Sequence, residues 1–169
     1  MTHIEVEVTR PRDSTLVLSY LVSGTITDIR MSPVATAARS DELWRHTCFE
    51  AFVRALPGIA YYEFNFAPST QWAAYRFSSY RSERCLATEI KAPSIEVQSS
   101  PDSCLLQATL DLNCFSDLPR EASWGLGLSA LIEEIDGRKS HWALSHPTGR
   151  PDFHHPDCFV LEISPAGQQ

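Results

Sequence analysis

Positive charge is scarce in this sequence. The chain has 14 Lys and Arg against 21 Asp and Glu, a formal net charge of -7, which opposes non-specific attraction to phosphate backbones. We therefore expect no nucleic-acid partner. No stretch approaches the roughly 20 apolar residues that span a bilayer, so we expect no membrane partner either. The segment MTHIEVEVTRPRD lacks the basic flank and apolar run of a secretory signal.

Cysteine is also sparse, and its spacing is unsuited to cross-linking. The five cysteines are an odd number and include no CxxC pair, which argues against a disulfide framework and a thiolate zinc site. We expect reduced thiols and, without a signal, a cytoplasmic protein. The sequence also lacks a glycine-rich phosphate loop, an internal repeat and any sustained helical spacing of apolar residues.

Alternation with a period of two dominates instead, in short runs bounded by turn formers such as Pro57-Gly58 and Asp136-Gly137. This pattern predicts one all-β domain over 1–169, a two-sheet antiparallel β-sandwich of jelly-roll or immunoglobulin-like type. Short helical turns are expected only in 35–43 and 114–118. The predicted strands are 4–8, 16–23, 25–30, 47–54, 60–66, 72–77, 94–98, 105–112, 125–134, 140–143 and 159–163. The predicted core contains Phe49, Val53, Phe64, Phe66, Leu110 and Leu128.

The segment 43–81 is crowded with aromatic and charged side chains, and alternation assigns them to two sheet faces. One face carries core residues such as Phe49 and Phe64. The other carries Glu50, Glu63 and Asn65, and receives from the next strand either Tyr75 or the pair Trp72 and Arg76. Polar groups interleaved with aromatic rings suit sugar rings and other small polar ligands. The predicted ligand-binding residues are Trp44, Glu50, Glu63, Asn65, Trp72, Tyr75, Arg76 and Trp142.

Two other interpretations of the acidic residues stay open. Outward-facing acids are commonly just solvated, and arginines at 45, 54, 76 and 81 could neutralise them in a structural ion-pair network. Glu50 and Glu63 could also form the acid and base pair of a glycosidase, which requires a defined separation that a sequence does not supply.

A second dense region is 140–163, where four of the six histidines fall within fifteen residues. Imidazole and carboxylate groups are ligands for zinc, nickel or iron, so the metal candidates are His146, Asp152, His154 and His155. The spacing matches no ligand signature, and adjacent side chains on extended backbone diverge. We therefore expect no bound metal or other cofactor, and a loop stiffened by three prolines that packs over one end or face of the sandwich.

A resemblance to a known family is carried by LWRHTCFEAFVR, YYEFNFAPSTQWAAYRFSSYR, HWALSHP and PDFHHPDCFVLEI. Together these runs resemble the small bacterial DOMON-like domain proteins, which look like distant relatives of family-nine carbohydrate-binding modules and of haem- or sugar-binding DOMON domains. The resemblance covers about 43–163. Its local pattern begins with Trp44 and an acid, Glu50, on one strand. An aromatic-Glu-x-Asn strand follows, formed by Tyr62, Glu63 and Asn65. The pattern ends with Pro-Ser-x-x-Trp, which is Pro68, Ser69 and Trp72, and with the pair Tyr75 and Arg76.

The resemblance implies a β-sandwich that binds a ligand. Sugar-binding relatives use paired aromatics to sandwich the ring, a role that Trp44, Trp72 or Trp142 would take here. Haem-binding relatives use axial Met, His or Lys ligands, which here would be histidines, Lys91 or Lys139. We therefore expect a non-catalytic module for a sugar or similar polar molecule, on a sheet face or at the rim. The alternatives are a metal-dependent enzyme using the loop from His141 to His155, a haem-binding domain, and a protein-interaction module.

Overall fold

The computed structural model describes residues 3–166, which form two antiparallel sheets packed face to face. The predicted β-sandwich is confirmed. Its strands are β1 (His3–Arg12), β2 (Thr15–Ser23), β3 (Cys48–Ala55), β4 (Tyr61–Phe66), β5 (Trp72–Phe77), β6 (Cys85–Leu86), β7 (Ser94–Ser99), β8 (Ser103–Asp111), β9 (Trp124–Glu133), β10 (Lys139–Ala143) and β11 (Leu161–Ile163).

The strands divide into a small sheet and a large one. The small sheet has the order β1-β2-β8-β7, and the large sheet has the order β10-β9-β3-β4-β5-β6. Strand β11 pairs with the first residues of β9, whereas β10 pairs with its last residues. Both therefore lie along one edge of the large sheet. The remaining helical segments among residues 3–166 are three-residue 3-10 turns, and no helix there is long and apolar enough to cross a membrane.

The main core lies between the two sheets. Alternate residues of β2 and β8 are buried, as expected for strands with one solvated face. The six predicted core residues are all buried, with no more than 3% of any of them exposed. Trp124, from the start of β9, is the largest fully buried side chain.

The large sheet differs because its central strands are buried on both faces. All six residues of β4 and all ten of β9 are buried. The outer face is covered by a second cluster of Phe52, Tyr61, Ala73, Tyr75 and Phe77, with Leu43, Trp44, Phe153 and Phe159 packed against it. The aromatic residues of 43–81 therefore fill two layers, one on each side of this sheet.

The loop 144–160 supplies part of this cover. A Cβ atom at Gly127 would lie 3.0 Å from the carbonyl oxygen of Cys158, closer than a side chain normally packs. Glycine at this position of β9 therefore lets the loop approach the sheet. The expectation that this loop packs over one end or face of the sandwich is confirmed, whereas its stiffness stays a prediction.

One predicted strand is wrong. Segment 25–30 forms a 3-10 turn at Ile26–Asp28 and only an isolated bridge at Ile29. The backbone N–H groups of Gly24 and Ile26 donate to carbonyls of the loop that precedes β8, at 2.9 Å in both cases. These bonds turn the chain away from the sheet before a strand can begin.

The predicted helical turns are also displaced. The turn expected in 35–43 lies at Leu43–Arg45, and 114–118 contains hydrogen-bonded turns without a helix. A further 3-10 turn, Pro156–Cys158, and the two-residue strand β6 were not predicted. Elements this short carry too few residues for any periodicity to show.

Candidate ligand-binding cleft

A cleft of about 630 Å³ opens on the outer face of the large sheet. This volume lies within the range of small-molecule sites. Its floor comes from β3, β4 and β9, and its walls come from the turn at Leu43–Arg45, the loop 78–84, strand β10 and the loop 144–160. It is lined by Trp44, Arg45, Glu50, Glu63, Phe77, Arg81, Arg84, Leu131, Lys139, His141, Pro151, Asp152, Phe153 and His154.

Strand register brings two acids together on the floor. Glu50 lies opposite Asn65 across β3 and β4, and Phe52 lies opposite Glu63. Glu50 and Glu63 are therefore diagonal neighbours on one face, a position from which long side chains reach each other. Only 4% of Glu50 and 5% of Glu63 are exposed.

Burial changes the protonation of this acid pair. It raises the pKa of Glu50 to about 8, and the neighbouring charge of Glu63 adds to the effect. Burial also raises the pKa of Glu63. Among residues 3–166, no Arg or Lys side chain forms an ion pair with either acid. At neutral pH Glu50 is therefore mostly a neutral carboxyl group, which can donate a hydrogen bond as well as accept one.

Glu63 ends a chain of hydrogen-bonding groups. Its carboxylate accepts from the Asn65 amide at 2.9 Å and lies 3.5 Å from Nε2 of His154, while Nδ1 of His154 lies 2.8 Å from the Tyr61 hydroxyl. That hydroxyl accepts the Arg81 backbone N–H at 3.2 Å. Burial lowers the pKa of His154 to about 4, and the charge of Arg81 contributes. A neutral ring is satisfied when Tyr61 donates to Nδ1 and Nε2–H faces Glu63.

One wall of the cleft combines an indole with a guanidinium. Trp44 meets the edge of Tyr75 at a ring separation of 5.8 Å. The guanidinium of Arg84 lies 4.0 Å from the Tyr75 ring centre and 5.0 Å from that of Trp44. Asp41 accepts from both Arg84 and the Tyr75 hydroxyl. These contacts hold Trp44 beside the floor, where its ring lines the cleft.

Another wall of the cleft contains an ion pair. Arg81 donates to Asp152 at 2.7 Å, and the Tyr80 hydroxyl also donates to Asp152. Burial opposes ionisation of Asp152, but the bonds from Arg81 and Tyr80 outweigh it and lower the pKa of that carboxyl. The pair connects the loop 78–84 to the loop 144–160.

Backbone strain concentrates at the same walls. Four non-glycine residues in 3–166 have a positive φ, and three of them, Glu42, Arg81 and Glu83, lie in the segments that carry Trp44, Arg81 and Arg84. Such conformations cost energy for a residue with a side chain, and they cluster at functional sites.

The structure brings together some of the sequence-predicted residues. Trp44, Glu50 and Glu63 line the cleft. Asn65 contacts Glu63, and Tyr75 contacts Trp44, on the same face of the sheet. The sequence left open whether Tyr75 or the pair Trp72 and Arg76 shares the face of Glu63. In the structure Tyr75 lies opposite Glu63 on that face.

Trp72 and Arg76 lie elsewhere, which corrects the expectation that they join the acidic face. Because Arg76 is opposite Tyr62 and Trp72 is opposite Phe66, both face the small sheet. Arg76 pairs with Asp117 at 2.6 Å. The Trp72 ring is 95% buried beneath the guanidinium of Arg39, 4.5 Å from its centre.

Trp142 is also outside the cleft. It lies on β10 opposite Ala130, whose side chain is in the main core, and it packs against that core. There it borders a small apolar cavity of about 80 Å³ at the edge of the sandwich. The third tryptophan proposed to sandwich a sugar ring is therefore not available to this cleft.

The residues of the histidine-rich segment 140–163 differ in whether they reach the cleft. Asp152 and His154 line the cleft, whereas His155 accepts the Asp157 N–H at 3.2 Å and lies beside Tyr80. His146 lies near the Phe153 ring, 6.1 Å between centres. Within residues 3–166, no three His, Cys, Asp or Glu side chains are grouped so that they could hold a metal ion.

Sequence reasoning missed several residues of the cleft. Arg84, Phe153 and Leu131 were not singled out, and Lys139 and His141 were considered only as haem or metal ligands. Alternation along β9 and β10 could have put Leu131 and His141 on one face, since they are directly paired. Placing that face beside Glu50 requires the strand order, which no local pattern reveals.

The structure is similar to solved carbohydrate-binding proteins. One is described as a putative carbohydrate-binding protein from Bacteroides uniformis, with a TM-score of 0.63 at 15% identity, covering 94% of this chain and 76% of that one. A family 9 carbohydrate-binding module from Caldicellulosiruptor kristjanssonii was solved with cellotriose and with glucose. These two structures give TM-scores of 0.59 and 0.57 at 15% identity, and cover all of this chain and 77% and 79% of theirs.

These similarities establish the fold alone. At this identity a shared architecture does not imply a shared ligand. No protein-family model matches the chain, and no curated protein matches it by sequence.

Proposed function

We propose that this chain is a non-catalytic binding module that takes a small polar ligand, a sugar, in the cleft on the outer face of the large sheet. The observation that carries the proposal is the cleft itself. It joins an aromatic wall at Trp44 to two nearly buried acids, Glu50 and Glu63, which form no ion pair with an arginine or lysine of the described residues. Surface acids without a ligand role would be solvated or paired.

The chemistry of the floor suits hydroxyl groups. A sugar hydroxyl both donates and accepts, so it matches a floor that offers both functions. The neutral carboxyl of Glu50 can donate, whereas Glu63 accepts from Asn65 and retains further acceptor capacity. The Oδ1 atom of Asn65 is buried and has no partner among the described residues. The indole of Trp44 supplies an apolar surface for the ring carbons.

The structural neighbours support the same class of ligand. The family 9 module was solved with glucose and with cellotriose bound, and the other neighbour is described as carbohydrate-binding. The motifs quoted for the resemblance to DOMON-like proteins include Glu50 and Glu63, which lie on the cleft floor. We therefore also propose that the chain is related to the DOMON-like proteins and that it is located in the cytoplasm.

The test is a thermal-shift screen of neutral and acidic sugars, nucleotides, amino acids and haem, followed by calorimetry on any ligand that raises the melting temperature. We expect a sugar to bind. Trp44→Ala and Glu63→Gln should each weaken binding at least tenfold, about 1.4 kcal/mol. Glu96→Gln is the control, because Glu96 is exposed on β7 of the other sheet. Unchanged affinity in both cleft variants would show that the ligand does not bind in the cleft.

A second function is favoured by one observation, the presence of two neighbouring acids whose pKa values are both raised by burial. A carboxyl group of raised pKa beside an ionisable partner is how glycosidases arrange a general acid and a second carboxylate. Glu50 would be the acid and Glu63 the partner. Release of nitrophenol from nitrophenyl glycosides by the wild type, abolished in Glu50→Gln, would establish this activity in place of simple binding.

A further inference from the structure

Positive side chains surround the cleft, although the protein as a whole is acidic. Arg45, Arg81, Arg84 and Lys139 line it, together with Asp152 on a wall and Glu50 and Glu63 on the floor. The net charge of the whole chain is -7. A concave site in which cations outnumber acids attracts ligands of negative charge, even on a molecule whose net charge is negative.

The arginines retain unused hydrogen-bonding capacity. Arg84 reaches Asp41 through one nitrogen at 3.2 Å, Arg81 reaches Asp152 through one at 2.7 Å, and Arg45 reaches Glu42 through one at 2.8 Å. A guanidinium has five N–H donors, and a fully engaged carboxylate pair is bidentate. Each arginine therefore keeps donors for another anion.

Lys139 is the least neutralised of the four. Its ammonium donates to the Arg45 backbone carbonyl at 2.6 Å and forms no ion pair among residues 3–166. The acid across the strand pair, Glu133, is engaged by His46 at 2.6 Å and Arg30 at 3.6 Å. An ammonium held at the cleft by a neutral carbonyl is placed to meet a negative group on a ligand.

We propose that the ligand of this cleft is an anionic sugar, whose ring contacts Trp44 and the acidic floor while its charged substituent meets Lys139 and the wall arginines. This inference rests on the proposed function and narrows it. Burial raises the pKa of both acids on the floor, Glu50 and Glu63, so the floor repels an anion less than two fully ionised carboxylates would.

The experiment compares sugars that share a ring and differ in charge. Calorimetry at low salt would measure glucose, glucuronate and glucose 6-phosphate, then galactose and galacturonate, with inorganic phosphate as the free anion. We expect at least one anionic member to bind tenfold or more tightly than its neutral partner. Its affinity should fall as sodium chloride rises to ~0.5 M, where screening is strong, whereas that of the neutral sugar should not.

Variants identify the charge responsible. Lys139→Met should weaken the anionic sugar at least fivefold while leaving any neutral sugar unchanged, and Lys139→Arg should retain most of the affinity. The control is Lys91→Met, whose exposed ammonium pairs with Asp111 away from the cleft. Circular dichroism and melting temperature would confirm that each variant is folded.

The outcomes separate this inference from the proposed function. If neutral sugars bind as tightly as their anionic partners, the module still binds sugars and the charge preference is wrong. If inorganic phosphate binds as tightly as glucose 6-phosphate, the site recognises an anion without the ring, which overturns the anionic sugar. If none of the sugars binds in this series or in the wider screen, the proposed function fails as well.

Discussion

Replacing Glu50 with glutamine tests the protonation of the cleft floor. The unfolded carboxyl has a pKa of 4.5 and the folded one a pKa of about 8, raised by burial and by Glu63. The native state therefore holds a proton that the unfolded state has lost between these values, so stability falls as pH rises through this window. Below about pH 4.5 both states are protonated and the full contribution is present.

The magnitude follows from the width of this window. One retained proton gives a slope of about 1.4 kcal/mol per pH unit, which sets an upper limit on the order of 4 to 5 kcal/mol by pH 8. Glutamine does not titrate and still accepts the Ser129 hydroxyl, which lies 3.3 Å from Glu50. The variant should therefore lie within about 1 kcal/mol of the wild type near pH 5 and exceed its stability by about 3 to 5 kcal/mol at pH 8.

The assay is urea unfolding of both proteins at several pH values from 5 to 9, with tryptophan fluorescence as the signal that reports unfolding. Groups that do not interact with Glu50 titrate equally in the two proteins, so their contributions cancel in the difference between the curves. That difference reports Glu50 together with its effect on Glu63. A difference that stays constant across this range would refute the reasoning, because it would mean that Glu50 ionises in the folded protein much as it does in the unfolded chain.

Three further predictions concern packing and redox state. Phe64→Ala should cost about 3 to 5 kcal/mol, since Phe64 is 99% buried between the sheets; a loss below ~1 kcal/mol in urea unfolding would contradict its core position. Gly127→Ala should cost about 1 to 3 kcal/mol, because its new methyl meets the Cys158 backbone at 3.0 Å. Gly125→Ala is the matched control and should cost less, as the nearest atom there belongs to a flexible Leu56 side chain. Thiol titration of the denatured protein should find all five cysteines free, and two resistant disulfides would overturn both that state and the cytoplasmic location.

Alternation was enough to predict much of the sandwich. Because β2, β8 and the core face of β3 place an apolar side chain at every second position, the sequence identifies these strands and their buried residues. The failure at 25–30 has a different origin. The segment is rich in β-branched residues, which favour strands. Its two isoleucines, Ile26 and Ile29, are however three positions apart, and hydrogen bonds to the loop before β8, far away in the sequence, take the backbone out of the sheet.

The site was only partly predictable for a related reason. Glu50 and Glu63 were placed on one face correctly, because each strand fixes its own alternation. Whether Tyr75 or Arg76 shared that face depended on the register across the 67–71 loop, and a shift of one residue exchanges the faces. The cationic walls come from loops whose positions relative to the sheet are set by tertiary contacts.

The most direct test of the account is a crystal structure of the protein with the tightest-binding sugar of the screen. The account predicts a sugar ring against Trp44, with hydroxyl groups within hydrogen-bonding distance of Glu50 and Glu63 and, for an anionic sugar, its charged group beside Lys139. A ring bound at another surface, with the cleft on the outer face of the large sheet holding solvent alone, would contradict it.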